Sequence, residues 1–248
     1  MGAHTRRRRF HFRYSRAEGC HGHAIHHDHR LLDLLCWPTV FPLVAELMGP
    51  NINLSTNHVL VRPPQPAGTA AAFKAIGWHR DAHGDVTPVH GTCPWIYSKI
   101  GFFLTDLSQS GMGNLRVIPG SHLHAEPPPT VDGAVDPVGA IEVLVEAGDA
   151  VIFQQRLWHA VGPNAATHAR ENIYLGYCRR WVRPIDALPT PPDLMAKADP
   201  IQRQLLGDIS SPLTWYLPAE GDVPLRAWLH QHQAGATAPH PEDPSTCG

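Results

Sequence analysis

The sequence predicts an all-β core with flanking helices, on three observations. Its 248 residues include 25 prolines and 21 glycines, which favour short strands and turns over long helices. Roughly eight short apolar runs, separated by turn residues, follow one another down the chain. Helical spacing appears only in an opening stretch and in short pieces near the end.

In order, residues 1–30 are rich in Arg and His and weakly patterned, and they read as a frayed N-terminal segment. From Leu31 to Leu47 the apolar residues Leu31, Leu34, Leu35, Val44 and Leu47 approximate helical spacing. Pro38 and Pro42 break this stretch into two short helices, and Gly49-Pro50 ends the second. Asn51–Arg62 alternates as a strand. Lys99–Leu107 is a buried strand, Ser108–Gly113 a turn, and Asn114–Ile118 the returning strand of a hairpin. Ile141–Val145 and Ala150–Gln154 are strands joined by a tight turn at Ala147-Gly148-Asp149, and Ile173–Cys178 is another. Residues 31–233 form one domain on this reading, and residues 234–248 a disordered tail rich in Ala, Pro and His.

Composition removes several functions. The formal charge is −2, so nothing global attracts nucleic acid or an anionic membrane. The Arg6–Arg9 run has no aromatic platform beside it and reads as part of the frayed terminus. No apolar run is long enough for a membrane span, and the basic stretch Met1–Arg16 lacks the apolar core of a secretory signal. Five scattered cysteines without a Cys-x-x-Cys pair suit a reducing cytoplasm.

The 18 histidines are the outstanding feature; the dispersed clusters His4–His29 and His230–His240 read as solvated surface or tails. Iron(II) oxygenases need two histidines and one carboxylate on one face of an octahedron, leaving positions for a cosubstrate and O₂. A His-x-Asp pair supplies two of these ligands. With 18 His and 14 Asp, chance gives roughly one such pair, and three occur: His26/Asp28, His79/Asp81 and His83/Asp85. The first has no strand to hold it. The third lies among Gly84, Pro88 and Gly91 and reads as a loop. His79/Asp81 has the right context. For the distal ligand, the strand from Gly148 leads through Gln155 and Arg156 to His159. Eleven residues later stands Arg170, whose fork suits the far carboxylate of a dicarboxylate cosubstrate. Periodicity alone gives a sandwich or barrel; the metal motif narrows this to a double-stranded β-helix, the jelly roll of cupin-like proteins.

Three segments, GWHRD (77–81), KIGFFLTDLSQSGMGNLRVIPGSH (99–122) and GDAVIFQQRLWHAVGPN (148–164) followed by Arg170, resemble the phytanoyl-CoA dioxygenase family of Fe(II)/2-oxoglutarate oxygenases. The Val-Ile-Pro-Gly-Ser-His ending of the middle segment is the most specific of these matches. The resemblance implies iron on His79, Asp81 and His159, and Arg170 on the C5 carboxylate of 2-oxoglutarate. It also implies that His58, Arg80 and, more weakly, Thr105 line the cosubstrate pocket. Strand 99–107 has no aromatic at the point where the resemblance leads one to expect it, which leaves the second cosubstrate anchor open. Halogenating relatives lack the carboxylate ligand, so Asp81 implies hydroxylation or oxidative ring closure of a small molecule. No basic cluster favours an acyl-CoA. Trp78, His83, Trp95, Tyr97 and Trp181 suit a sugar-like substrate, and the compact chain resembles oxygenases of specialised-metabolite pathways such as antibiotic biosynthesis, orthosomycin-type substrates among them. The alternative is a non-catalytic or non-oxygenase cupin-like metal-binding protein, which has no need of a carboxylate clamp at Arg170. The oligomeric state is open.

Overall fold

A computed structural model describes residues 19–66, 77–81 and 94–236, apart from 133, 135, 187, 209–212 and 214–215. Among these residues, eight strands form two antiparallel sheets. The larger holds β1 (Gly19–His21), β2 (Ile52–Arg62), β3 (Tyr97–Phe103), β6 (Ala150–Gln154) and β8 (Arg170–Arg179), in the order β1-β2-β8-β3-β6. The smaller holds β4 (Leu115–Val117), β5 (Ile141–Val143) and β7 (His159–Val161), in the order β5-β4-β7. This is the expected β core of the jelly-roll type.

Strand alternation sorts the residues of the large sheet into two cores. Ile100, Phe102, Ile173, Leu175 and Tyr177 face helices α2 (Leu32–Leu35), α3 (Phe41–Met48), α5 (Pro200–Leu205) and α6 (Pro224–Ala236), through Leu35, Phe41, Met48, Leu205 and Leu225. Phe103, Phe153 and Tyr174 face the other way and meet Leu115 and Val117 of the small sheet. Two glycines on this second face allow close packing. A Cβ on Gly101 would lie 2.5 Å from the Tyr174 ring, and one on Gly176 only 2.0 Å from the Tyr97 hydroxyl.

Several expectations need correction. The frayed segment is too long: β1 pairs with β2, and Ala24 and Ile25 of α1 (Ala24–His27) are buried in the helix-side core. Two apolar residues in a His-rich run are too few to show a period. Residues 1–18 lie outside the described residues. Segments 99–107 and 114–118 are not a hairpin, because β3 and β4 belong to different sheets; β5 and β6 likewise part at the 147–149 turn. A local pattern marks a turn but does not say which sheet the chain enters next. Pro42 sits in the first turn of α3, where its missing N–H costs nothing, and so it starts that helix. At the far end α6 runs to Ala236, past the expected boundary, and 237–248 lie outside the described residues. No helix among the described residues is long and apolar enough to cross a membrane.

Candidate active site

After β6 the chain turns at residues 155–157, crosses to the small sheet and opens β7 with His159. The Pro-Gly-Ser-His turn fixes this corner. Gly120 takes the left-handed conformation (φ 78°) that the turn requires. Ser121 Oγ accepts from the Trp158 N–H at 2.9 Å. The buried Arg156 guanidinium donates to the carbonyls of His122 and His124 at 3.3 and 2.8 Å. His79 is tied to the same corner, because its backbone exchanges two 3.0 Å hydrogen bonds with His159. The motif around residues 117–122 therefore positions both histidines.

The two imidazoles stand 4.2 Å apart, centroid to centroid. Nδ1 of His79 bonds the Gly77 carbonyl at 2.8 Å, and Nδ1 of His159 the Leu157 carbonyl at 2.9 Å. A carbonyl only accepts, so each Nδ1 carries a proton, which leaves Nε2 as the nitrogen through which each ring would bind a metal. Both Nε2 atoms face Asp81, at 3.9 Å to Oδ1 and 3.6 Å to Oδ2. All three donor atoms lie within 4.8 Å of one another. Burial pushes His159 down to about 4, against the pull of Asp81, and so keeps it neutral as a metal ligand must be. Burial pushes the Asp81 carboxyl up, but neighbouring positive charge, Lys99 foremost, outweighs it and holds it below the usual range. Two neutral nitrogens and one carboxylate are a donor set suited to a divalent transition metal.

Lys99 is a member of this site that the sequence reading missed. Its Nζ lies 2.5 Å from Asp81 Oδ2, between the rings of Phe153 (5.8 Å) and Tyr174 (5.5 Å). The available signal was a lysine within an otherwise apolar central strand, where a charge needs a partner.

Arg170 starts β8 and is 1% exposed. One of its nitrogens, Nη2, donates to the Tyr174 hydroxyl at 3.1 Å, while Nε and Nη1 have no partner. The neighbouring Glu171 is exposed on the opposite side of the strand and does not pair with it. A chain of ring contacts links this guanidinium to the ligands: Tyr174 to Phe153 at 6.3 Å, and Phe153 to His159 at 4.9 Å. A buried cation with unmade hydrogen bonds, on the same inter-sheet face as the triad, fits a carboxylate ligand.

The family model described as phytanoyl-CoA dioxygenase matches residues 2–172, which include the triad, Lys99 and Arg170. The chain belongs to the phytanoyl-CoA dioxygenase family. Among curated proteins, dioxygenase cdmD of Talaromyces verruculosus is 29% identical over 109 residues, 42% of this chain. The match spans only about a third of that relative (34%). Solved structures agree in fold. HygX of Streptomyces hygroscopicus, with nickel and 2-oxoglutarate bound, superposes with a TM-score of 0.56 at 14% identity, covering 73% of this chain and 78% of that one. The epimerase SnoN, in complex with Fe³⁺, alpha-ketoglutarate and nogalamycin RO, gives 0.50 at 21% identity, covering 68% and 69%.

Other residues that the phytanoyl-CoA dioxygenase resemblance marked are placed differently. Arg80 is engaged with backbone carbonyls. Its guanidinium donates to the carbonyls of Arg156, Ala125, Ser121 and His124 and lies 5.1 Å over the Trp158 ring. It is a clasp between the ligand segment 79–81 and the Ser-His turn. Thr105 lies beyond the end of β3, where its hydroxyl accepts from the Glu171 N–H at 3.1 Å. His58 shares the inner face of the sheet, being the register partner of Tyr174. Its Nε2, however, bonds Asp186 at 3.2 Å, and this partner, followed by Cys20, raises it to about 9. Of the aromatics, Trp78 is half-buried and donates to Asp136 at 3.1 Å, Tyr97 is buried against Thr56, Trp95 packs on the helix-side core, and Trp181 is exposed. They do not form one wall. His26 and Asp28 lie around α1, Asp28 pairing with Arg30. His83 and Asp85 lie outside the described residues.

Proposed function

We propose that this protein is an Fe(II)/2-oxoglutarate-dependent dioxygenase that oxidises an unactivated C–H bond of a small molecule. His79, Asp81 and His159 hold the iron, and Arg170 holds the far carboxylate of 2-oxoglutarate. The observation that carries this is the buried Arg170 guanidinium with two unpartnered nitrogens, on the same inter-sheet face as a His-Asp-His cluster. Without such a clamp the cluster would suit any cupin-like metal-binding protein.

When bound, the iron supplies O₂ activation coupled to the oxidative decarboxylation of 2-oxoglutarate. The chain's own residues do the rest. The Gly77 and Leu157 carbonyls fix the tautomers that aim both Nε2 lone pairs. Lys99 holds the Asp81 carboxylate ionised and oriented. Phe103, Phe153 and Tyr174 line the space between the sheets and exclude water from it. Asp81 fills the position a halide would need, so the reaction is hydroxylation or oxidative ring closure.

A substrate from specialised metabolism, sugar-containing and of orthosomycin type, is the narrower reading. Its support is Trp78, half-buried and next to His79, which offers a stacking surface beside the cluster. The test is succinate release from 2-oxoglutarate in the presence of Fe(II), ascorbate and O₂, with sugars and glycosylated natural-product intermediates as stimulants. Iron-dependent succinate formation is expected, and its stimulation identifies the substrate. Complete absence of 2-oxoglutarate turnover across the panel would remove the assignment. Chloride or bromide should yield no halogenated product; detecting one would overturn the role of Asp81.

A further inference from the structure

Strand β8 alternates, so Arg170, Asn172 and Tyr174 share the face turned toward the small sheet, while Ile173 and Leu175 face the helices. Asn172 is 0% exposed, and neither its Oδ1 nor its Nδ2 has a hydrogen-bond partner. Burying an amide with all its hydrogen bonds unmade is costly, and an apolar side chain at the same place would avoid the cost. The residue beside it has the same need. Because Arg170 Nη2 reaches the Tyr174 hydroxyl at 3.1 Å, the Arg170 side chain runs along the strand past position 172. Its Cζ lies 5.8 Å from the Phe103 ring centroid, and Phe103 is the register partner of Asn172.

The two side chains together present a surplus of donors. Nε and Nη1 of Arg170 and Nδ2 of Asn172 are all N–H groups without acceptors, and the single unpartnered acceptor beside them is the Asn172 Oδ1. Among the described residues no carboxylate pairs with Arg170. A group that offers only acceptors and a negative charge satisfies this arrangement. A carboxylate does so with its two oxygens.

We propose that Asn172 is a second ligand of the distal carboxylate of 2-oxoglutarate, and that with Arg170 it selects 2-oxo acids carrying a distal carboxylate over those that lack one. The proposal rests on the reading of Arg170 given above. It answers which residue assists the arginine, a role that His58, Arg80 and Thr105 do not fill.

The test compares 2-oxoglutarate with 2-oxobutyrate, a 2-oxo acid without the distal carboxylate. Each is titrated anaerobically into the Fe(II)-loaded protein, and binding is followed by the visible charge-transfer band. Asn172→Leu should weaken 2-oxoglutarate about tenfold, the worth of one charge-assisted hydrogen bond, and leave 2-oxobutyrate within about twofold. Asn172→Asp places a carboxylate beside Arg170 and should weaken 2-oxoglutarate more strongly still, again sparing 2-oxobutyrate. Without ligand, Asn172→Leu should melt a few degrees above the wild type, because an unsatisfied buried amide is gone. Unchanged 2-oxoglutarate affinity in Asn172→Leu would overturn the proposal, as would equal losses for both acids. If Arg170→Leu discriminates between the two acids and Asn172→Leu does not, Asn172 alone is misassigned. If the wild type binds both acids equally, the reading of Arg170 falls and takes this proposal with it.

Discussion

Arg170 differs from most buried arginines in leaving Nε and Nη1 without partners, and the proposed function rests on that feature. Replacing it with leucine removes a charge-assisted contact worth about 1.5–3 kcal/mol. The apparent KM for 2-oxoglutarate should therefore rise roughly ten- to a hundredfold, while metal affinity stays close to that of the wild type. Initial-rate kinetics and a separate metal titration check the two halves; an unchanged KM would remove Arg170 from the site. The candidate ligands were legible in the sequence, since His79, Asp81, His159 and Arg170 are chemical types in a recognisable spacing, and the first three do come together. Lys99 and Asn172 were not, because each acquires meaning only from being enclosed beside a particular partner. Arg80 misled for the same reason. It flanks two ligands in sequence, yet its side chain turns to the carbonyls of the Ser-His turn.

That clasp makes a prediction about how segments cooperate. Segment 79–81 is held to the small sheet by one bridge and by the Arg80 guanidinium. Arg80→Ala should cost about tenfold or more in metal affinity, as loss of groups that orient metal ligands does, with 2-oxoglutarate affinity of the metal-saturated protein retained. Paired metal and cosubstrate titrations decide it, and an undiminished metal affinity would show that the bridge alone is sufficient. A second tie joins β1, β2 and the segment after β8, where His58 stands between Asp186 and Cys20. The folded His58 is raised from 6.5 to about 9, so its contribution to stability is fully present below about pH 6.5 and fades as pH rises through about 9. His58→Gln should thus melt several degrees below the wild type near pH 6, for about 1.5 kcal/mol or more, and the gap should narrow by about pH 9.5. A gap that widens with pH would contradict the pairing. Strand positions themselves were readable from alternation. Their sheet membership was not, because β3 and β4, or β5 and β6, part at turns that look like hairpin turns.

The molecule's two cores do not depend on the metal for their packing: one fills the space between the large sheet and the helices, the other the space between the sheets. Chelator-treated protein should unfold cooperatively, unlike a zinc finger. Saturating metal should then add about 2.7 kcal/mol at a hundredfold excess over Kd, or roughly 5–10 °C in Tm, and Asp81→Ala should abolish that increment without unfolding the protein. Thermal melts with and without metal measure this. The jelly-roll class was legible as a whole because turn-rich composition, strand alternation and the metal motif agreed. What escaped was the reach of the packing ahead of residue 31, where, among the described residues, Ala24 and Ile25 enter the core. The proposed function requires that His79, Asp81 and His159 bind an iron that 2-oxoglutarate then chelates. Its most direct test is an anaerobic Fe(II) titration with saturating 2-oxoglutarate, followed by the visible charge-transfer band, in the wild type, Asp81→Ala and Asp85→Ala. The band should form in the wild type and in Asp85→Ala and be lost in Asp81→Ala; a band that survives in Asp81→Ala and disappears in Asp85→Ala, or that never forms in the wild type, would contradict it.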